Sequence, residues 1–220
     1  MEIIYEDEEI LVCVKEAGIA TESASVRDRD LFSLVKAHVN GGYIGMVHRL
    51  DRPVSGLLVF AKTPAAAASL SQQVQGDQMS KDYLAVVEGR LEKTGEPVIL
   101  TDHLIKDAKA GLARVVAETA KDANGNRAKR AQLSYEVLSC DAEKDLTTLR
   151  IHLLTGRFHQ IRAQLSHLGH PVKGDTRYGA KKPADPKGSA GISLCAYQLC
   201  FLHPKTKEKM VFQLPPDILQ

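Results

Sequence analysis

The 220-residue chain contains no tryptophan, and its five phenylalanines and six tyrosines make up only 5% of the residues. So few rings exclude a protein that binds nucleic acid mainly by stacking on many successive bases. No apolar run approaches the ~18 residues of a membrane-spanning helix. The acidic start of the chain, EIIYEDEE at residues 2–9, is unlike a secretory signal peptide. We therefore expect a cytoplasmic protein that does not associate with a membrane.

Cysteine is scarce, and its spacing excludes the common cysteine-based sites. The four thiols form no C-x-x-C pair and have no zinc-like spacing. Cys195 and Cys200 have opposite parity on a predicted strand, so we expect their side chains on opposite faces. No two of the eight histidines lie four apart on one predicted helix with a glutamate between them. The pattern therefore predicts reduced thiols and no metal site.

Several nucleotide and ester-hydrolysis motifs are also missing. The sequence has no G-x-x-x-x-G-K loop, no G-x-G-x-x-G turn and no G-x-S-x-G elbow. Their absence argues against phosphoryl transfer, dinucleotide chemistry and esterase chemistry of the usual kinds. With 44% hydrophobic and 25% charged residues, the chain can bury a substantial core, which excludes a disordered protein. Its length predicts one domain over residues 1–220.

The charge is unevenly distributed, although the net charge is only +2. Residues 150–182 contain seven lysines and arginines and one acid, which makes this stretch +6. The other 187 residues contain 22 basic and 26 acidic side chains, or −4. A basic strip on a mildly acidic body favours a polyanionic ligand. A solvated surface face would have the same composition, so charge alone leaves both interpretations open.

Short apolar and alternating segments predict a strand-rich protein with few helices. Helices are expected after Asp30, after the N-cap pair Thr63-Pro64, and over residues 157–168 up to Gly169. The polar stretch 106–129 predicts a turn or hairpin tip. Because strands and helices do not alternate regularly, the pattern predicts an α+β fold. The predicted strands cover residues 3–5, 10–14, 56–61, 83–87, 131–138, 146–153, 192–202 and 209–214.

The first candidate site is a carboxylate between two guanidinium groups. Asp51 lies between Arg49 and Arg52, in a loop that Pro53 and Gly56 make irregular. A nearby arginine lowers the pKa of a carboxyl group and keeps it ionised. An ionised aspartate suits a nucleophile or a general base better than a general acid. An ordinary salt bridge in a loop would show the same pattern.

The second candidate site is the run TGRFHQIR at residues 155–162. A glycine before a helix exposes main-chain N–H groups that favour a phosphate or a carboxylate. On a helix, His159, Arg162 and Ser166 share one face, opposite an apolar stripe. Any surface helix has such a polar face, so this motif alone does not establish a binding site.

Four blocks of sequence follow one another along nearly the whole chain: IYED at residues 4–7, HRLDR at 48–52, KDYLAVVEG at 81–89, and TGRFHQIR at 155–162 with GHPVKGD after it. Together they resemble the RluA family of pseudouridine synthases: the second block resembles the family's signature loop, the third its tyrosine strand and the fourth its C-terminal signature. The chain departs from the family pattern at four places. KEAG at 15–18 replaces the usual Asn-Lys-Pro-x-Gly, LCA at 194–196 a common Leu-His-Ala, Leu133 a usual Thr, and Phe158 the usual Thr or Ser.

The resemblance implies an α+β fold with a mixed, mainly antiparallel, bent sheet, flanking helices and a central RNA-binding cleft. It implies an RNA pseudouridine synthase that isomerises specific uridines in rRNA or tRNA without a metal or an organic cofactor. By the same resemblance, Asp51 is the catalytic carboxylate, Tyr83 lies against the target uracil, and Arg162 pairs with Asp51. Leu50 and Leu194 are expected to line the pocket for the base.

The expected partner is structured RNA, an rRNA or tRNA stem-loop, bound by a monomer. Because the first block begins close to Met1, we expect no separate N-terminal RNA-binding domain. The alternative is a non-catalytic RNA-binding module on the same fold. A nucleoside hydrolase would need a second carboxylate or a metal, which the motifs do not supply. The residues expected to contact RNA are His48, Arg49, Arg52, Arg157, His159, Gln160, Lys173 and Arg177.

Overall fold

The computed structural model describes residues 1–23, 28–182 and 191–219. The chain forms two compact units, the first made of Met1–Asp82 with Ser189–Gln220 and the second of Tyr83–Gly188. Because both ends of the chain belong to the first unit, the second unit is one continuous insertion within it. That the whole chain acts as a single catalytic domain stays a prediction.

The described residues form eleven strands, three α-helices and one 3₁₀ turn at Thr176–Tyr178. The helices are α1 (Leu31–His38), α2 (Pro64–Gln75) and α3 (Gln160–His167). The strands are β1 (Glu2–Glu6), β2 (Ile10–Lys15), β3 (Gly45–Met46), β4 (Ser55–Ala61), β5 (Ser80–Glu88), β6 (Val98–Asp107), β7 (Leu112–Val116), β8 (Lys129–Asp141), β9 (Leu146–Leu153), β10 (Leu194–Leu202) and β11 (Lys209–Gln213).

The first unit is built on a mixed sheet. Strands β1, β2 and β4 pair antiparallel in that order, and β3 adds a short antiparallel pairing to β4. Strand β10 pairs with β4 in parallel and with β11 in antiparallel fashion. The central strand β4 is almost entirely buried because its run SGLLVFA is apolar on both faces.

The two helices of the first unit begin where their capping residues predict. The Asp30 side chain accepts a hydrogen bond from the Ser33 N–H, and the Thr63 hydroxyl accepts one from the Ala66 N–H. Each bond satisfies a main-chain donor that the first turn of a helix leaves unpaired. Pro64 follows Thr63 at the first helical position, where its missing N–H costs nothing. Both predicted starts are confirmed.

The second unit contains strands in the spatial order β5-β9-β8-β6-β7. The pairs β9–β8, β8–β6 and β6–β7 are antiparallel. No strand was predicted at β6. The turn or hairpin tip predicted over residues 106–129 is wrong where β7 lies. Charged residues interrupt the apolar alternation there because one face of this hairpin is exposed. The mixed, mainly antiparallel α+β architecture is confirmed.

Helix α3 of the second unit is buried on nearly every side. Its start at Gln160 is three residues later than predicted, and six consecutive residues from Gln160 to Leu165 are buried. The expected polar and solvated face is therefore wrong for this part of the helix. The helix packs against β6 and β7, and the core there consists of Leu104, Ala113, Ala131, Ala163 and Tyr178.

Gly56 allows β4 and β10 to approach closely, and its replacement should be costly. Its φ is +122°, and a Cβ atom there would lie 2.3 Å from the Ala196 carbonyl oxygen. We expect Gly56→Ala to lower the free energy of unfolding by at least about 2 kcal/mol, from backbone strain and steric overlap together. Urea denaturation measures the change.

Gly125→Ala is the matched control, because it introduces backbone strain without steric overlap. Gly125 also has a positive φ, +80°, but a Cβ there would meet no atom within 4 Å. A Gly56→Ala protein as stable as the Gly125→Ala protein would contradict the close approach.

Candidate active site

Asp51 is half-buried in the loop between β3 and β4, and hydrogen bonds fix the main chain around it. The carbonyl of Leu50, the preceding residue, accepts a bond of 2.9 Å from the Thr21 hydroxyl. The same hydroxyl oxygen accepts a bond of 3.1 Å from the Leu50 N–H. The Asp51 carbonyl accepts the Val54 N–H at 3.0 Å, which closes a tight turn.

The next two carbonyls of this loop are also bonded. The Arg52 carbonyl accepts the Gly18 N–H at 2.8 Å and the Lys15 ammonium at 3.1 Å. The Pro53 carbonyl accepts the Ile192 N–H at 3.0 Å. Four successive carbonyls, from Leu50 to Pro53, are therefore fixed by groups of the first unit.

Lys15 is a buried cation beside this loop, and the sequence analysis did not assign it a role. Its side chain has no exposed surface, and its ammonium also donates to the Glu16 and Ile19 carbonyls at 3.0 and 2.8 Å. Burial lowers the pKa of Lys15 to about 8, while the nearby Asp51 carboxylate opposes that change. The ammonium is thus charged at pH 7. A lysine that ends the apolar strand ILVCVK was the available signal.

His48, an expected RNA contact, is half-buried, and its Nε2 accepts a hydrogen bond of 3.2 Å from the Val59 N–H. Burial lowers the pKa of His48 well below its usual value, and the Lys81 charge lowers it further. The ring is therefore neutral at pH 7, so a contact between His48 and a phosphate would not be one of opposite charges. That His48 contacts RNA stays a prediction.

The other predicted site residues of the first unit are two exposed arginines and two buried leucines. Arg49 and Arg52 are exposed, and Arg52 makes a loose ion pair of 3.6 Å with Asp28. Leu50 and Leu194 are both buried in the first unit, at 6% and 2% exposure. That these two side chains line a pocket for a base stays a prediction.

In the second unit, Arg162 forms a buried bidentate ion pair. Its Nε and Nη2 donate to the two carboxylate oxygens of Asp175 at 2.6 and 2.9 Å. The two side chains are only 3% and 2% exposed, and the guanidinium also lies over the Tyr178 ring. Asp175 was not predicted as a partner of Arg162. Two of the five guanidinium N–H groups serve Asp175, and the pairing of Arg162 with Asp51 stays a prediction.

Gln160 is an internal organiser of the loop before α3, and the expected RNA contact is wrong for its side chain. Only 3% of Gln160 is exposed. Its Oε1 accepts bonds from the Thr155 hydroxyl and the Arg157 N–H, at 2.8 and 2.9 Å. Its Nε2 donates to the Gln132 carbonyl and to Gln164 Oε1, both at 3.0 Å. These bonds fix the main chain that carries Arg157.

His159 joins α3 to the loop in a left-handed conformation, with φ of 51°. Its Nδ1 lies 2.9 Å from the Tyr178 hydroxyl. Burial, together with the charges of Arg162, Arg177 and Lys106, lowers the pKa of His159 to about 3. His159 is therefore neutral at pH 7, and any contact it makes with RNA is not a contact of opposite charges.

The basic strip of the sequence divides into paired and exposed cations. Arg150 pairs with Glu136, and Arg162 pairs with Asp175. Arg157 and Arg177 donate to main-chain carbonyls, so their charges are not neutralised by those bonds. Arg150 is exposed as well as paired, and the other exposed cations of the strip are Arg157, Lys173, Arg177, Lys181 and Lys182.

Tyr83 lies on β5 and is 6% exposed. It belongs to the second unit with Arg162, whereas Asp51 belongs to the first. The arrangement of these three residues around one uracil stays a prediction.

The described ranges 1–23, 28–182 and 191–219 contain no group of three or more His, Cys, Asp or Glu side chains that could hold a metal ion. None of the helices in these ranges is long and apolar enough to cross a bilayer.

Comparison with known proteins identifies the family. The profile of the family described as RNA pseudouridylate synthase matches residues 9–167. Ribosomal large subunit pseudouridine synthase D of Pseudomonas aeruginosa is 35% identical over 236 residues, covering all of this chain and 70% of that protein. tRNA pseudouridine synthase C of Vibrio vulnificus is 30% identical, covering 99% of this chain and 91% of that protein.

Other relatives are longer than this chain. An uncharacterised RNA pseudouridine synthase of Mycoplasma genitalium is 32% identical over 224 residues, which cover 98% of this chain and 66% of that protein. Among solved structures, human RNA pseudouridylate synthase domain containing 1 superposes with a TM-score of 0.76 at 24% identity. The superposition covers 97% of this chain and 82% of the human one, and it supports the fold.

Proposed function

We propose that this chain, which belongs to the RluA-type family of RNA pseudouridylate synthases, converts uridine to pseudouridine in RNA. The observation that carries the proposal is the loop around Asp51, whose main chain is bonded at four successive carbonyls. A rigid loop that presents one half-buried carboxylate suits chemistry that requires a reacting group in a fixed place. A loop that only bound phosphates would not need an anionic side chain.

We propose rRNA or tRNA as the substrate. The names of the relatives support both: the Pseudomonas aeruginosa protein is a ribosomal large subunit enzyme, and the Vibrio vulnificus protein is a tRNA enzyme. A stem-loop is the form of RNA that we expect, because a base in a loop is cheaper to unstack than a base within a long duplex.

In the proposed reaction, the bond between ribose C1′ and uracil N1 breaks and a bond between C1′ and C5 forms. The atoms are the same before and after, so neither water nor a redox step is consumed. An ionised Asp51 helps to break the first bond, either by attacking the substrate or by removing a ribose proton. Arg162 orients Asp51, and Tyr83 supplies a flat surface for the base. The uracil loses a proton at C5 and gains one at N1, and the Tyr83 oxygen is a candidate to accept the first of these protons.

The uracil must leave its stack to reach Asp51, and this costs a few kcal/mol. Contacts with phosphates offset that cost. The exposed cations of the second unit, Arg157, Lys173 and Arg177, are the groups that we assign to these contacts. Arg49 and Arg52 of the Asp51 loop are assigned to the RNA strand next to the target base.

The experiment that tests the proposed function is release of tritium from RNA labelled at uracil C5. Transcripts of rRNA fragments and tRNAs are incubated with the purified protein, and pseudouridines are mapped in the positive RNAs. We expect release from at least one RNA and loss of the same pseudouridine in a strain without the protein. Tight binding without release from any of these RNAs would instead support the alternative, a non-catalytic binding module.

Affinity for RNA should fall steeply with salt. Each neutralised phosphate adds about 0.7–0.9 to the slope of log affinity against log salt, so three to five exposed cations predict a slope of about −2 to −4.5. Filter binding at salt concentrations between about 50 and 200 mM measures this slope. A flat plot would mean that the basic strip does not touch phosphates.

A pair of matched variants tests which exposed lysines cause this salt dependence. Lys173→Gln removes one exposed cation of the strip and should make the slope shallower by about 0.7–0.9. Lys209→Gln removes an exposed lysine of β11 in the first unit and should leave the slope unchanged. Equal slopes for the two variants would show that Lys173 does not contact RNA phosphates.

A further inference from the structure

We propose that Thr21 and Lys15 are positioning residues for Asp51, because they hold the main chain of the two residues that flank it. The inference rests on the proposed function, in which Asp51 is the catalytic carboxylate. Neither residue was assigned a role by the motifs. Both lie in one short segment, residues 15–21, which begins at the last residue of β2.

Thr21 holds the residue before Asp51. It is 3% exposed, and its single hydroxyl donates to the Leu50 carbonyl and accepts from the Leu50 N–H. One side chain thus satisfies both main-chain groups of Leu50. A buried N–H or carbonyl without a partner is unfavourable, so Leu50 is held in one orientation. The Cα of Asp51 is attached directly to this fixed peptide.

Lys15 holds the residue after Asp51. An ammonium group has three donors, and those of Lys15 go to the Glu16, Ile19 and Arg52 carbonyls. Because Glu16 and Ile19 belong to the same segment as Lys15, the ammonium ties this segment to the Asp51 loop. Gly18, with φ of 89°, makes the turn that lets the segment reach both sides of Asp51, and its N–H adds a second bond to Arg52.

The bonds of Thr21 and Lys15 act on the residues directly before and after Asp51, so they limit how far the main chain can move the carboxylate. A shift of about 1 Å in a reacting group lowers a rate by as much as ~100-fold. Loss of the Thr21 hydroxyl should therefore slow the chemical step more than it weakens RNA binding. If Thr21 only stabilised the fold, its replacement would lower the melting temperature but would not slow the chemical step more than it weakens RNA binding.

The test compares two isosteric substitutions at buried threonines. Thr21→Val keeps the volume and removes the hydroxyl. Thr147→Val is the matched control, because Thr147 is also fully buried and its hydroxyl likewise donates to one carbonyl, of Gly89, and accepts one N–H, of Leu91. Its bonds belong to the second unit and to a loop with no proposed catalytic residue.

We expect the single-turnover rate at saturating RNA to fall about 10- to 100-fold in Thr21→Val, with the dissociation constant changed by less than about threefold. Thr21→Ser should restore most of the rate, because it restores the hydroxyl. Thr147→Val should keep the parent rate while losing a similar amount of stability. Equal rates for Thr21→Val and Thr147→Val would overturn the proposal. If Thr21→Val does not fold, Thr21→Cys, with a weaker donor of similar size, takes its place.

Hydrogen–deuterium exchange separates this inference from the proposed function. Peptides that cover the Asp51 loop should exchange faster in Thr21→Val than in the parent protein, and peptides around Gly89 should exchange faster in Thr147→Val. A parent protein that forms no pseudouridine would overturn the proposed function, while faster exchange would still support the fixed loop. Unchanged exchange at the Asp51 loop in Thr21→Val would overturn the positioning role whatever the activity.

Discussion

Replacement of Asp51 by asparagine is expected to abolish product formation while RNA binding persists. The amide has the shape of the carboxylate but cannot carry its negative charge, which both chemical routes require. We expect the single-turnover rate to fall by roughly 1,000-fold or more, the scale on which loss of a reacting group acts. Release of tritium from C5-labelled uridine in RNA measures the rate.

The fold should tolerate this change, because the bonds that hold the main chain of the loop come from Thr21, Lys15 and main-chain N–H groups, and asparagine at position 51 leaves them in place. We expect the free energy of unfolding to change by less than about 1 kcal/mol. Asp77→Asn is the control for the chemical change itself. Asp77 is exposed after α2 with φ of 55°, a conformation that asparagine also adopts. Turnover by Asp51→Asn within tenfold of the Asp77→Asn protein would exclude Asp51 as the reacting group.

The largest expected effect on stability comes from the buried pair in the second unit. Asp175→Asn removes one partner of a pair whose side chains are only 3% and 2% exposed. Removing one member of a buried pair typically costs about 3–5 kcal/mol, because the other charge is left with poorer compensation. We expect a loss near the lower end of that range, since asparagine still supplies one carbonyl oxygen to Arg162. Urea denaturation measures this loss, and we expect the dependence of the free energy of unfolding on urea concentration to stay unchanged.

An exposed pair of the same residue types provides the comparison. Asp107 accepts a bond of 3.0 Å from the Arg114 Nε, and the two side chains are 27% and 58% exposed. Surface pairs contribute about 0–1 kcal/mol, so Asp107→Asn should change stability only slightly. Asp175→Asn should also slow turnover, because Arg162 is proposed to orient Asp51. Equal stabilities of the two variants would show that burial does not strengthen the Arg162–Asp175 pair.

Local chemistry predicted the elements that depend on neighbouring residues. The helix starts at Asp30 and Thr63 follow from side chains that cap the first turn, and the apolar run SGLLVFA follows from burial on both faces. Strand β9 matches its predicted range, and fully buried residues alternate with less buried ones along most of its length. These signals need no knowledge of the rest of the chain.

Buried polar side chains are one group of features that the sequence pattern did not reveal. Lys15, Gln160 and Gln164 are buried because carbonyls and amides of distant segments satisfy their hydrogen bonds. A pattern of polar and apolar residues cannot reveal such partners. The hairpin of β6 and β7 was missed for the converse reason, since exposed strands carry charges that resemble a loop.

The resemblance identified the residues of the proposed site but not what supports them. It placed Asp51 in its motif, whereas the bonds from Thr21 and Ile192 to that loop join segments far apart in sequence. The parallel pairing of β4 with β10 depends in the same way on long-range topology. Such supports become visible only when the fold is known.

The interrupted first unit has a consequence for the order of events during translation. The ribosome delivers the N-terminal residues first, so the Asp51 loop emerges long before β10 and Ile192, which complete its surroundings. A nascent chain that stops within the inserted second unit has the proposed catalytic carboxylate but lacks β10, the parallel partner of β4. Prematurely terminated products should therefore be inactive, and we expect activity only from chains that have been synthesised through β10.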